Sequence, residues 1–242
     1  MTPLLTTLQQ ADLLQQLVQL DTELFLTLNA LHTTYLDPFM KLFSSKLIWA
    51  PLYASLVYIM WRNLSWRQLL CSLVCVALVI LFADQVSSTL IRPFVARMRP
   101  ANLDNPIAPL VHIVDGYRGG RYSFPSCHAA NTVGLALYVA LLLRHRGLTL
   151  FMATWALITC YSRIYLGVHY PGDLLVGALI GSIGALLMYT LYCRITRRLS
   201  PSPQPSTRPQ AVPTPLRHAQ LPLAIGLATI LLIALYSLLR II

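Results

Sequence analysis

Charge is scarce in this chain. Only 11% of its 242 residues are charged, eight of them acids, while 56% are hydrophobic; ordinary soluble domains carry roughly 25% charged residues. No soluble core hides that much apolar surface, so the reading is a single membrane-embedded domain. Cysteine is sparse as well: Cys71, Cys75, Cys127, Cys160 and Cys193 are odd in number, lie mostly within apolar runs and form no pair of CxxC motifs. That pattern excludes a disulfide framework or a cysteine zinc site and leaves free thiols. Residues 1–30 also lack a positive start followed by a compact apolar core, so insertion is expected to use internal segments. No internal repeat at a fixed period is visible.

What is present is apolar length. Six runs occur near residues 47–61, 68–91, 129–143, 148–165, 174–195 and 221–242. The second has 24 residues, about 36 Å of helix, enough to cross roughly 30 Å of hydrocarbon. Ahead of them, residues 1–43 space Leu, Phe and Val at helical intervals among Gln, Thr and Asp, which suits an amphipathic helix at the membrane interface. Residues 199–220 hold six prolines and read as an extended linker to a last apolar helix at 221–242. The expected fold is therefore all-α: a polytopic membrane helical bundle of about six transmembrane helices. It has an N-terminal amphipathic segment (1–43), a core (44–198), a Pro-rich cytoplasmic linker (199–220) and a C-terminal helix (221–242).

The formal net charge is +10, and its placement gives orientation. The basic residues cluster between apolar runs instead of forming a stripe on one helix, which argues against nucleic acid as a partner. The short connections 62–67, 144–147 and 193–198 are all Arg-rich and fall on one side if every run spans. By the positive-inside rule that side is cytoplasmic. Residues 92–128 and 167–173 then share the external face of a multi-pass protein of the inner (cytoplasmic) membrane.

That external face carries polar residues that membrane insertion does not explain. Arg92, Arg97 and Arg99 crowd into IRPFVARMRP, broken by Pro93 and Pro100; guanidinium groups on a turn suit bidentate contact with phosphate or anchoring to lipid headgroups. In FPSCHAAN, Ser126 is a natural helix cap, and the first turn offers free N–H groups near Cys127 beside the ring of His128. In YSRIYLGVHYPGD, Ser162 and Arg163 precede His169 and Asp173. The aspartate, four residues on, can hold one ring nitrogen and free the other to attack. Too few other His, Asp or Glu residues share this face for a metal site, so none is expected. Asp84, buried in the second run, needs a polar partner from an Arg or another helix.

The three stretches together resemble the signature of the type 2 phosphatidic acid phosphatase family, which shares its core with vanadium haloperoxidases: Lys-x6-Arg-Pro, Pro-Ser-Gly-His and Ser-Arg-x5-His-x3-Asp. Here they read RPFVARMRP (92–100), PSCH (125–128) and SRIYLGVHYPGD (162–173). Arg92 stands where the family has Lys, and Cys127 where it has Gly. The resemblance spans roughly residues 45–195 and implies a helical bundle with a metal-independent site and no cofactor. It also implies roles: His169 as the nucleophile that forms a phosphohistidine, oriented by Asp173; His128 as the acid that protonates the leaving oxygen; Arg92, Arg99, Ser126, the Cys127 amide and Arg163 as phosphate ligands.

The expected function is an integral-membrane phosphatase acting on a lipid phosphate or diphosphate, of the undecaprenyl diphosphate or lipid A type. A phosphatidylglycerophosphate or phosphatidic acid phosphatase, or a lipid phosphotransferase, is the alternative, and a non-catalytic lipid-phosphate binder or transporter is the rival outside enzymes. The partners implied are the bilayer and its lipid phosphate; the oligomeric state is left open.

Overall fold

Residues 2–199 and 216–241 are described in the computed structural model, with side chains from Asp12 to Arg198 and from Leu216 to Ile241. Most of the expected linker at 199–220 lies outside them. Each of the six apolar runs forms a helix, two further helices precede them, and a one-turn helix follows the second run: α1 (Thr2–Asn29), α2 (Leu36–Phe43), α3 (Ala50–Asn63), α4 (Trp66–Asp84), the one-turn α5 (Arg92–Val95), α6 (Cys127–Leu143), α7 (Arg146–Tyr165), α8 (Pro171–Leu199) and α9 (Gln220–Leu239). Among the described residues, 66–95, 171–198 and 220–239 are each long and apolar enough to cross a bilayer, and 36–43 with 47–63, bent by 70°, form a fourth candidate. The first apolar run is thus short because its helix is preceded by a sharp elbow.

Local signals explain where these helices begin. Ser65 opens α4 with a reciprocal capping box to Gln68, which satisfies two otherwise free donors. The imidazole of His145 caps α7 by accepting from the Leu148 N–H at 3.1 Å. Ser126 caps α6 by accepting from the Ala129 N–H, a contact worth about 1 kcal/mol. At the far end of α4 the helix widens into π geometry over Gln85–Ile91, a departure that often marks functional positions. It carries Ser88 to within 3.0 Å of the Cys127 sulfur at the start of α6.

The centre of the bundle is α4, α6, α7 and α8, with α6 packed most extensively on α8. Glycines permit that approach. A Cβ at Gly177 would stand 2.4 Å from the Ser126 carbonyl oxygen, and one at Gly181 2.1 Å from that of Ala130. Small residues one turn apart let backbones meet where lipid supplies no hydrophobic drive between helices. Gly181→Ala is expected to push α6 off α8 and cost about 1–3 kcal/mol. A thermal melt in detergent checks this, and an unchanged midpoint would show that the helices have slack.

The N-terminal helix, expected to lie at the membrane interface, docks on the bundle at its C-terminal end. Leu13, Leu14, Leu17, Leu20 and Leu24 are exposed on α1, whereas Phe25 and Asn29 are buried. The Asn29 amide donates to the carbonyls of Ile164 at 3.1 Å and Tyr165 at 2.9 Å and accepts from the His112 N–H. The end of α1 is thereby stitched to the end of α7 and to the long loop between α5 and α6. Asp84, half-buried in α4, receives a hydrogen bond from the Asn131 amide of α6 at 2.9 Å, the polar partner from another helix that an acid within an apolar run requires.

Candidate active site

Because successive helices alternate direction, the C-terminal ends of α4 and α7 and the N-terminal ends of α6 and α8 lie together at one end of the bundle. That end gathers all three polar stretches. The opposite end carries Arg62, Arg67, Arg144, Arg146, Arg194, Arg197 and Arg198, the distribution expected for a helical membrane protein.

His169 sits in the turn between α7 and α8, buried with 3% of its side chain exposed, and its Nδ1 lies 3.4 Å from Oδ2 of the fully buried Asp173. The approach falls short of a hydrogen bond, and among the described residues Nδ1 has no partner. Asp173 is fixed by its neighbours: Oδ2 accepts from the Tyr170 N–H at 2.8 Å, Oδ1 from Arg97 at 3.3 Å. Its own carbonyl accepts from the Ser126 N–H at 3.0 Å, which joins the second stretch to the third.

Burial lowers the pKa of His169 to about 4; the charges of Arg99 and Arg163 push the same way, and Asp173 opposes them. The ring is therefore neutral at physiological pH, with a lone pair to offer. His128, at the second position of α6, points its Nε2 at the Ser44 carbonyl, 3.2 Å away; since a carbonyl only accepts, Nε2 carries the proton.

Around the two rings stands a cationic wall. Burial and the nearby charges of Arg163 and Arg92 lower the pKa of Arg99, with Tyr117 and Asp173 opposing them. Arg163 is almost wholly buried; it donates to the Ser44 hydroxyl at 2.6 Å and the Tyr117 hydroxyl at 3.4 Å. Burial alone would raise the Tyr117 phenol, but its hydrogen bond to Arg163 and the charges of Arg163 and Arg99 hold it below its ordinary value. Arg99 Nε donates to the Tyr122 carbonyl, and Arg92 donates to the Pro125 carbonyl at 3.0 Å and to the Cys127 sulfur at 2.9 Å. Among the described residues, Arg92 Nε and Arg163 Nε are buried without an acceptor. Cationic donors held in place without acceptors are what a phosphoryl group requires.

All eight side chains expected from the sequence thus lie at this end of the bundle. The two departures from the family pattern touch, the Cys127 thiol resting against the Arg92 guanidinium. Sequence reasoning missed three contributors: Ser44, which contacts both His128 and Arg163; Tyr117, on Arg163; and Asp21 of α1, which binds Arg97. Only Asp21 carried a signal, as one of few acids in the chain. Among the described residues no three His, Cys, Asp or Glu side chains cluster as a metal site would need.

An apolar cavity of 320 Å³ adjoins the site. Ser44, Lys46, His128 and Asn131 are among its polar lining residues, and Trp49, Leu56, Met60, Val76, Leu135 and Trp155 among its apolar ones. Its size lies at the lower end of the range for small-molecule pockets.

Known proteins resemble this chain. Residues 68–197 match the PAP2 superfamily. A lipid A 4'-phosphatase of Bacteroides thetaiotaomicron is 43% identical over 229 residues, covering 94% of this chain and 100% of that protein. A lipid A 4'-phosphatase of Porphyromonas gingivalis is 33% identical over 179 residues, covering 74% and 75%. The crystal structure of Aquifex aeolicus LpxE superposes with a TM-score of 0.54 at 24% identity, over 71% of this chain and 95% of that one, a likeness of fold. With its helical core and its three polar stretches gathered at one end, the chain belongs to the PAP2 superfamily.

Proposed function

We propose that this protein is an integral-membrane, metal-independent phosphatase that removes phosphate from a lipid A type substrate through a phosphohistidine, acting on the external face of the inner membrane. The observation that carries the lipid part of this reading is the apolar cavity that His128 helps to line. A phosphate held by Arg92, Arg99 and Arg163 beside His128 leaves an attached acyl chain close to that cavity, so headgroup and tail are met by adjoining surfaces of opposite polarity. The reading of lipid A before undecaprenyl diphosphate rests on the full-length relative from Bacteroides thetaiotaomicron.

The chemistry follows from the two rings. His169 Nε2 attacks phosphorus while the Asp173 carboxylate faces Nδ1–H and offsets the positive charge that builds on the ring. The phosphoryl oxygens bear their charge against Arg92, Arg99, Arg163, the Ser126 hydroxyl and the Cys127 N–H, the positioning and electrostatic stabilisation on which phosphoryl transfer depends. His128, neutral in the empty site because burial and Arg163 lower its pKa to about 3, becomes an imidazolium by taking the proton that a phosphate monoanion brings; it then turns its Nε2–H from the Ser44 carbonyl to the bridging oxygen and protonates it as the P–O bond breaks, releasing the lipid alcohol. Now neutral, His128 takes a proton from water, and the resulting attack on phosphorus frees His169 and inorganic phosphate.

A proton on His169 blocks the attack. Because burial lowers its pKa to about 4, the acid limb of the activity is expected below the ordinary histidine value, as pH drops through that lower range. The pH profile of kcat/KM checks this; an acid limb centred near an unperturbed histidine would contradict it.

The function is tested by phosphate release in detergent from lipid A, undecaprenyl diphosphate, phosphatidylglycerophosphate and phosphatidic acid, with and without EDTA. Lipid A is expected to be turned over fastest and EDTA to change nothing. Loss of release with EDTA would overturn the metal-independent reading, and preference for another lipid would overturn the substrate.

A further inference from the structure

We propose that Asp21, on the N-terminal helix α1, is a positioning residue of the hydrolytic site: by holding Arg97 it keeps that cation from neutralising Asp173, so that the buried carboxylate remains available to His169. The proposal rests on the reading of His169 as the nucleophile.

Arg97 is shared between two acids, and unequally. Its Nη1 lies 2.5 Å from Asp21 Oδ2 and 3.3 Å from Asp173 Oδ1. The guanidinium is pinned in plane as well, its central carbon 3.6 Å from the centroid of the Tyr170 ring. The other Asp21 oxygen, Oδ1, accepts the Gly172 N–H at 2.7 Å, in the residue immediately before Asp173. One carboxylate from α1 therefore grips both the cation beside Asp173 and the backbone that presents it. The Arg97 and Asp21 side chains are only 19% and 16% exposed, so solvent screens this arrangement far less than a surface ion pair.

Counting charge gives the arrangement its purpose. Asp21, Arg97 and Asp173 together carry one net negative charge next to a neutral His169. When the ring accepts a phosphoryl group and keeps its Nδ1 proton, it becomes a cation, and the local charge on this side closes to zero. Without Asp21, Arg97 and Asp173 would cancel each other beforehand, leaving the phosphorylated ring with no counter-charge. Arg99 and Arg163, whose charges already disfavour a cationic His169, would then act unopposed.

This gives Asp21 a signature that a tether does not have. Loss of its charge destabilises the phosphohistidine relative to the states on either side, so the intermediate forms more slowly but also breaks down faster. A mere loosening of the turn at Gly172 would slow both steps.

The experiment is rapid-quench measurement of both steps in the full-length protein in detergent, using 32P-labelled lipid A or 32P-labelled phosphatidic acid, whichever is turned over faster. Asp21→Asn keeps an oxygen for the Gly172 N–H and removes the charge; Asp21→Glu keeps the charge. Thermal melts verify folding. Asp21→Asn is expected to slow phosphoenzyme formation about tenfold and to speed its hydrolysis severalfold, with Asp21→Glu restoring both towards wild type. An Asp21→Asn enzyme that slows both steps, or changes neither, while the wild type still carries phosphate on His169, overturns the role of Asp21 alone. A wild type that never carries phosphate on His169 removes the nucleophile and this proposal together.

Discussion

Replacing His169 with alanine is expected to reduce phosphate release by at least about 10³-fold without loss of fold. The ring is buried between the end of α7 and the start of α8, faces Asp173, and is held neutral by burial and by Arg99 and Arg163. The cationic wall does not replace it: Arg92, Arg99 and Arg163 can bind and polarise a phosphoryl group but supply no lone pair to attack it. His169→Ala should therefore retain lipid binding, which separates an enzyme from a lipid-phosphate carrier. Phosphate release measured beside binding of the same lipid gives both quantities. Near wild-type release would transfer the nucleophile to another group or to water.

The second large effect belongs to His128. Its Nε2 donates to the Ser44 carbonyl at 3.2 Å, and its ring lines the apolar cavity. His128→Gln preserves a donor of similar reach but cannot transfer a proton, so kcat for a lipid phosphate is expected to fall about 10²–10⁴-fold with little change in KM. The loss should depend on the leaving group. An aryl phosphate, whose phenolate departs without help, should be hydrolysed by His128→Gln at a rate much nearer to wild type. Equal losses on alkyl and aryl esters would mean that His128 orients substrate and does not deliver a proton.

The helices were legible because apolar length and Arg-rich turns act locally and leave a pattern along the chain. The gathering of Arg92, Arg99, Ser126, His128, Arg163, His169 and Asp173 at one end was legible too, since strict alternation of helix direction carries the three stretches to the same face. What could not be read depends on packing between segments distant in sequence. Ser44 contacts the site because the chain bends by 70° between α2 and α3, and nothing about a serine in FSSK foretells that bend. Asp21 contacts Arg97 because Asn29 and Phe25 dock α1 on the bundle, whereas amphipathic spacing alone suggested a helix resting on lipid. The contact between Arg92 and Cys127 was hidden for a similar reason. The widened helix at Gln85–Ile91 turns one toward the other, and helical periodicity read from sequence assumes ordinary turns.

The most direct measurement is to quench the enzyme during turnover of lipid A, with EDTA present, and to locate covalent phosphate by mass spectrometry under alkaline conditions, in which phosphohistidine survives. Phosphate on His169, absent from His169→Ala and undiminished by EDTA, is the expected result. Phosphate on a different side chain, or none at any time while lipid A is being hydrolysed, would contradict the histidine mechanism at its first step.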